Sequence, residues 1–343
     1  MVAGAEGGVR RARIRGVEYS LPRRVVTNDE IATAHPAWRM AQVARRTGVL
    51  RRHFAASNET ALDLSHEACR LLLEATGTTP ERVDALIVCT QTPDFIMPPN
   101  ACLLQDRLGL AKNVAAFDLT LACSGYIYGL FLAKALIESG ALETVILVTA
   151  DTYSKLISAD DRGPYALFGD GAAATLLVAD EEGLGEFVLG TDGSLGSSFA
   201  VPAGGARNPR SESTSRIAAD RNGNLRSLEH IQMDGPGVLA FVQREVPGAV
   251  DSLLRKAGTT LSRVDLVLFH QASLVALDYL EEVLGIPPAK TFRNLERVGN
   301  TVSASLPMLL RDAQRAGRLR DGDLVLLVGF GVGLSWGACL LEW

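Results

Sequence analysis

The sequence predicts an α/β fold made of two similar halves, because three stretches of its first half recur, in the same order, in its second. LLEATGTTPERVD, from Leu72, returns as LLRKAGTTLSRVD from Leu253, 181 residues later. Each reads as the end of an amphipathic helix, a glycine stop and an entry into an apolar strand, a sound αβ joint. CSGYIYGLFLAKALIESGALETVILV, from Cys123, is matched from Asn300 by NTVSASLPMLLRDAQRAGRLRDGDLVLLV. Both give helix, glycine stop (Gly140 and Gly317) and strand, at an offset of 177 residues that sets Cys123 onto Asn300. The third echo is FGDGAAATLL from Phe168 against FGVGLSWGACLL from Phe330, each a Phe-Gly-x-Gly turn opening a strand. Ordered echoes of this kind indicate duplication, and two copies are too few for a solenoid.

Taken in order, the first half is expected to hold helices near 60–77, 98–110 and 124–139, with strands near 84–90, 114–120, 143–150 and 171–179. The second is expected to hold helices near 235–257, 273–284 and 301–317, with strands near 265–269, 323–329 and 335–342. Met1 to Arg15, rich in Gly, Ala and Arg, reads as a short flexible arm leading into the first strand. The stretch 192–230 is rich in Gly, Ser, Arg and Asn and reads as a long surface loop, functional or mobile. The expected organisation is therefore a half at 1–190, a loop region at 191–234 and a second half at 235–343.

Bulk composition narrows the partners. The net charge of -5 gives no reason to expect nucleic acid, and no aromatic-basic interleaving appears. No apolar run approaches the roughly 20 residues of a membrane span, and the start has no apolar signal-peptide core. Five cysteines, widely spaced and without a Cys-x-x-Cys pair, suit a reducing cytosol rather than a disulfide framework or a zinc site. A cytoplasmic protein without bound metal is expected.

The duplication sets Cys123 and Asn300 at quasi-equivalent helix starts near the join of the halves. A helix N-terminus carries partial positive charge and unpaired N–H groups, which favour a thiolate nucleophile. Ala122 and Gly125 are small enough to let the backbone turn sharply and leave the sulfur approachable. Taken alone, each element has an ordinary reading: an apolar-segment cysteine packs, a strand-end histidine bonds a carbonyl, and Gly-Asn makes a turn. His270, where the strand DLVLF runs into HQAS, supplies the histidine.

The trio ACSG at 122–125, HQAS at 270–273 and GNT at 299–301 resembles the Cys-His-Asn site of ketoacyl-[acyl carrier protein] synthase III. The resemblance runs along almost the whole chain and includes RRTGV at 45–49, AFDL at 116–119, DDRG at 160–163, LFGDGAAA at 167–174 and GFGVGLSWG at 329–337. It implies a five-layered αβαβα thiolase-like fold, a homodimer, and coenzyme A or phosphopantetheine thioesters as substrates, with no permanently bound cofactor and acyl carrier protein as a partner. Cys123 would take the acyl group as a thioester, and a malonyl group would lose carbon dioxide and attack it. His270 and Asn300 would each donate to the malonyl thioester oxygen, and the imidazole could also help deprotonate Cys123. The backbone N–H groups of Cys123 and Val332 would form the oxyanion hole. Arg46, Thr47 and Arg162 align with residues that hold the nucleotide, and Met97, Ser273 and Phe330 fall at substrate-binding positions.

Several positions depart from the housekeeping members of that family. Gln42 replaces a tryptophan that stacks on adenine, with Trp38 four residues earlier; Val275 replaces an arginine that docks carrier protein. Ser273 replaces an asparagine, Val332 a glycine, and the pliable Met97 a phenylalanine that closes the partner's acyl tunnel. These departures point towards a specialised pathway. Three functions remain: decarboxylative condensation with a malonyl or 3-oxoacyl thioester, plain acyl transfer to a hydroxyl or amine, and a non-catalytic partner subunit. The complete trio favours the first, since only decarboxylation needs donors for an enolate.

Overall fold

A computed structural model describes residues 10–343. Two mixed sheets carry the fold. The first runs from edge to edge as Arg11–Ser20, Gly171–Asp180, Thr144–Asp151, Ala85–Cys89 and Ala115–Leu119; the second as Leu184–Thr191, Ser335–Glu342, Leu324–Gly331 and Leu266–Phe269. In each, the first two junctions are antiparallel and the third parallel. The fifth strand of the first sheet is reduced in the second to one parallel bridge, Val267 with Thr291. The duplication read from the echoes is thus a duplication of topology. Ala85–Cys89 and Thr144–Asp151 are buried along their whole length, as strands covered on both faces must be.

Helices fill three layers around the sheets. Gly125–Glu138 and Ser305–Arg315 contact strands of both sheets and form the middle layer. Ile127, Leu130 and Ala133 meet Leu306, Leu309 and Leu310 there in one core. This position explains why Gly125–Glu138 is apolar nearly all round. Ala61–Thr76 and Asn100–Arg107 cover the outer face of the first sheet and Gly235–Lys256 that of the second, with Leu274–Val283 packed beside it and its Leu277 and Leu280 in one core with Val267 and Phe269. The result is the αβαβα, thiolase-like arrangement. Local chemistry marks the helix ends: Thr60 and Asp63 form a reciprocal capping box, and Gly140 and Gly317 stop the two middle helices in left-handed backbone, at φ 77° and 67°. Among the described residues no helix is long and apolar enough to cross a membrane.

Four expectations shift. The arm read over Met1 to Arg15 is overtaken from Arg11 onwards by a ten-residue strand, held by antiparallel pairing to Gly171–Asp180; residues 1–9 lie outside the described residues. Leu184–Thr191, for which the sequence predicts no element, pairs with Ser335–Glu342, so the crossing into the second sheet comes before residue 190. The stretch 192–230 is not bare loop: it contains a 3-10 turn, a short helix and a two-stranded ribbon, and Gln232–Met233 pairs back onto Phe199–Ala200. The helix expected over 301–317 splits into a 3-10 turn at Val302–Ala304 and a helix from Ser305, because Val302 adopts φ 54°.

The halves also interlock through backbone. Asn300 N–H donates to Leu167 O and Gly169 N–H to Asn300 O, both at 3.0 Å. A Cβ on Gly169 would lie 2.4 Å from Val298 O, so no side chain fits there. Gly169→Ala is expected to cost about 1–3 kcal/mol. By contrast Gly248, in the middle of Gly235–Lys256, faces open space, and a methyl added there would meet nothing within 4 Å. Gly248→Ala should therefore add about 0.5–1 kcal/mol. Urea unfolding of both variants beside the parent checks this; equal effects would remove the seam from its structural role.

Candidate active site

Cys123 sits in a turn between the strand Ala115–Leu119 and the helix Gly125–Glu138, which Gly125 N–H closes onto Ala122 O at 2.7 Å. The end of Leu324–Gly331 passes directly over it. A Cβ on Gly331 would stand 2.6 Å from Cys123 Cβ and 2.8 Å from its Sγ, so this strand can lie there only as glycine. The close approach aims the Val332 N–H at the sulfur, alongside the N–H of Cys123 itself. These are the two amides expected from the sequence.

The electrostatics of the sulfur differ from expectation. Helix-start amides do favour thiolate, but burial outweighs them, and the nearby Asp151 carboxyl adds to it, so the Cys123 thiol is pushed well above its usual range. In the free protein it is a thiol, not a thiolate.

His270 follows the strand Leu266–Phe269, whose pairing it extends by donating its N–H to Val328 O at 2.8 Å. Its ring stands edge-on to Phe330, and its Nδ1 is 3.0 Å from Ser305 Oγ. Burial drives its pKa down to about 3, so the ring is neutral. Asn300 is oriented from both ends. Its Oδ1 accepts from Val302 N at 2.9 Å, and its Nδ2 makes one long contact to Ala272 O at 3.4 Å, leaving donor capacity over. The left-handed φ of Val302, strained for a β-branched residue, turns that amide onto Asn300.

These three side chains line one cavity of about 110 Å³, with Ser273, Phe330 and Gly331. No charged side chain lines it among the described residues. Met233 and Gly235 line both this cavity and an open groove of about 940 Å³ that holds Arg46, Thr47 and Arg162. The Thr47 hydroxyl already donates to Val43 O and accepts from Val49 N. Gln42 and Trp38 also line the groove, Trp38 stacked on His35 at 3.9 Å. Met97 is not brought in: it is 78 % exposed on a loop away from its own chain's cavity.

Sequence reasoning missed three groups. Asp151 is fully buried at the end of its strand; Oδ1 accepts from Gln91 N at 2.9 Å, and Oδ2 accepts from Ser303 Oγ at 2.5 Å. It ties the first half to the turn three residues beyond Asn300, and burial raises its pKa to about 7. A carboxylate ending the apolar run VILVTAD was the available signal. Ser305, beside His270, had none. Arg39, Arg221 and Arg226 complete the groove's five arginines; Arg226 is paired with Asp161 and Asp220, whereas no carboxylate pairs with the other four among the described residues. Arg221 comes from the loop, where nothing in the sequence marks it.

Because Cys123 is held as a thiol, its alkylation by iodoacetamide should climb about tenfold per pH unit between about pH 6 and 9. Asp151→Asn removes a repelling charge and should speed the reaction about three- to tenfold at pH ~8. Peptide mass spectrometry reads both, and a rate plateau near neutrality would contradict the burial argument.

Comparison with known proteins shows the family. Residues 117–193 match the family described as 3-Oxoacyl-[acyl-carrier-protein (ACP)] synthase III, and residues 254–343 match that family's C-terminal part. The beta-ketoacyl-[acyl-carrier-protein] synthase III of Symbiobacterium thermophilum is 38% identical over 340 residues, covering 98% of this chain and 99% of the relative. A crystal structure of a 3-oxoacyl-(acyl-carrier-protein) synthase III superposes with a TM-score of 0.95 at 43% identity, over 97% of this chain and 100% of the other. The priming beta-ketosynthase of the R1128 polyketide pathway superposes at 0.84 with 30% identity, over 99% and 98%. The chain belongs to the beta-ketoacyl-[acyl-carrier-protein] synthase III family of acyl-transferring condensing enzymes.

Proposed function

We propose that this enzyme loads an acyl group from a thioester onto Cys123 and condenses it with a malonyl or 3-oxoacyl thioester, with loss of carbon dioxide from malonyl. The observation that carries this reading is that Cys123, His270 and Asn300 line one uncharged cavity while the amides of Cys123 and Val332 face the sulfur. In the first step the sulfur attacks the acyl thioester carbon and the incoming thiol departs with the Cys123 proton. The two amides receive the oxyanion. In the second, the malonyl carboxylate leaves as carbon dioxide and its electron pair becomes an enolate, whose oxygen accepts from His270 and Asn300. The enolate carbon attacks the acyl carbon, and the sulfur leaves as thiolate and regains a proton from solvent. With no cation among the described residues lining the cavity, a malonyl carboxylate loses its hydration without compensation, which favours its departure.

Four arginines in the adjoining groove that no carboxylate among the described residues pairs with suit the phosphates of coenzyme A or of phosphopantetheine on carrier protein, with the pantetheine arm passing Met233 and Gly235 to the sulfur. No permanent cofactor is needed for this chemistry. A homodimer is supported by Phe95, Ile96 and Met97, which are 57%, 97% and 78% exposed on the loop leading to Asn100, whose backbone N–H donates to Asp118 of the edge strand Ala115–Leu119. In such a dimer Met97 would reach the partner's acyl site. Its pliability, with the changes at Gln42, Ser273 and Val275, supports a specialised acyl substrate.

Incubating the enzyme with acyl and malonyl thioesters, and following intact mass and radiolabelled carbon dioxide, tests the mechanism. Cys123→Ala should abolish the adduct. Asn300→Ala should still load but release carbon dioxide about 100- to 1,000-fold more slowly. An enzyme that loads acyl groups yet releases no carbon dioxide from any malonyl donor is instead a plain acyltransferase. Met97→Phe should shift loading towards acetyl; unchanged selectivity would remove Met97 from the acyl site.

A further inference from the structure

The hydroxyl of Ser305, the first residue of the helix Ser305–Arg315, lies between two groups. It is 2.8 Å from the Gln271 backbone N and 3.0 Å from His270 Nδ1, and all three residues are at most 2 % exposed. A backbone N–H can only donate, so the oxygen accepts from Gln271. Gln271 cannot turn away: its Nε2 donates to Phe269 O at 2.9 Å and its Oε1 accepts from Asn294 N at 3.2 Å. The hydroxyl has one hydrogen, and among the described residues no acceptor other than His270 Nδ1 lies within bonding distance of it. Its hydrogen therefore goes to Nδ1.

We infer that Ser305 is a positioning residue that makes Nδ1 of His270 an acceptor and so fixes the ring proton on Nε2. The inference rests on the condensing reading above and deepens it. A neutral imidazole carries one N–H, and a proton on Nε2 makes that nitrogen a donor, as Asn300 Nδ2 is. The other tautomer would set a lone pair against the enolate oxygen where negative charge develops. With its proton on Nε2, His270 does not remove the Cys123 proton, which leaves with the departing thiol. The imidazole is thus an electrophilic donor in decarboxylation and not the base of the loading step. The relay runs from a backbone amide through a hydroxyl to a ring, so it depends on the turn before Ser305 as much as on the serine.

Nitrogen NMR of protein labelled with [15N]histidine, with His270 assigned by its loss in His270→Gln, reads the tautomer directly. The parent should show Nε2–H, Ser305→Ala a mixture with Nδ1–H, and Ser305→Thr, which keeps the hydroxyl, the parent pattern. In the same three proteins Ser305→Ala should slow carbon dioxide release by about ten- to a hundredfold, and acyl loading far less, while Ser305→Thr stays within about threefold of the parent. A parent ring protonated on Nδ1 overturns the inference, as does an alanine variant with unchanged tautomer and unchanged carbon dioxide release. If Ser305→Ala does not fold, the parent and threonine spectra still decide. A parent that loads but never decarboxylates overturns the condensing reading instead, and the spectrum then judges the tautomer alone.

Discussion

The backbone seam between Leu167–Gly169 and Val298–Asn300 is the constraint on which the site depends. In the proposed reaction each half supplies part of the chemistry, the sulfur from the first and the histidine and asparagine from the second. Two backbone hydrogen bonds at 3.0 Å hold the halves in register, and leaving either buried group unpaired would cost about 1–3 kcal/mol. Gly169 and Gly331 allow approaches that a single methyl would block, the second of them against the sulfur itself. Beyond the seam, the strained Val302 is held from two sides, by Asn300 Oδ1 and through Ser303 by Asp151. Strain of that kind, on the order of 1–3 kcal/mol, persists only where the surroundings over-determine it.

One physical cause sets the electrostatics throughout. Burial raises the Cys123 thiol, lowers His270 and raises Asp151, because each charged form has lost its water. With the Cys123 thiol and the His270 ring neutral, no charged side chain lines the cavity among the described residues, and in the proposed reaction charge would arise only on oxygens faced by donors already in place. Such donors need no reorganisation when charge develops, which is why they are effective in a dry cavity. The outer groove is built on the opposite principle. It is open and lined by arginines, so it attracts anions, and Met233 and Gly235 mark the passage from a charged entrance to a neutral interior.

Much of this was legible in the residues. The echoes from Leu72, Cys123 and Phe168 specified the order of helices and strands, and the structure repeats that order as two sheets with the same directions of pairing. Helix ends were legible wherever their chemistry is local, as at Gly140 and Gly317. The strand Arg11–Ser20 was partly misread because its arginines look like a solvated arm, and only pairing with Gly171–Asp180 makes it a strand. Leu184–Thr191 was passed over for the same reason, since its partner lies near the end of the chain.

By itself the sequence determined the duplicated α/β order and placed Cys123 and Asn300 at helix starts and His270 at the end of a strand. Those features are local: periodicity, glycine stops and residue types within a short window dictate them. Only the tertiary structure decided that the sulfur rests as a thiol, that Ser305 and Asp151 stand behind the site, and that Arg221 joins arginines far away in the chain. Desolvation, tautomer and charge clustering depend on which groups become neighbours in space. For Asp151 and Ser303 that neighbour is 152 residues away, and for His270 and Ser305 it is 35.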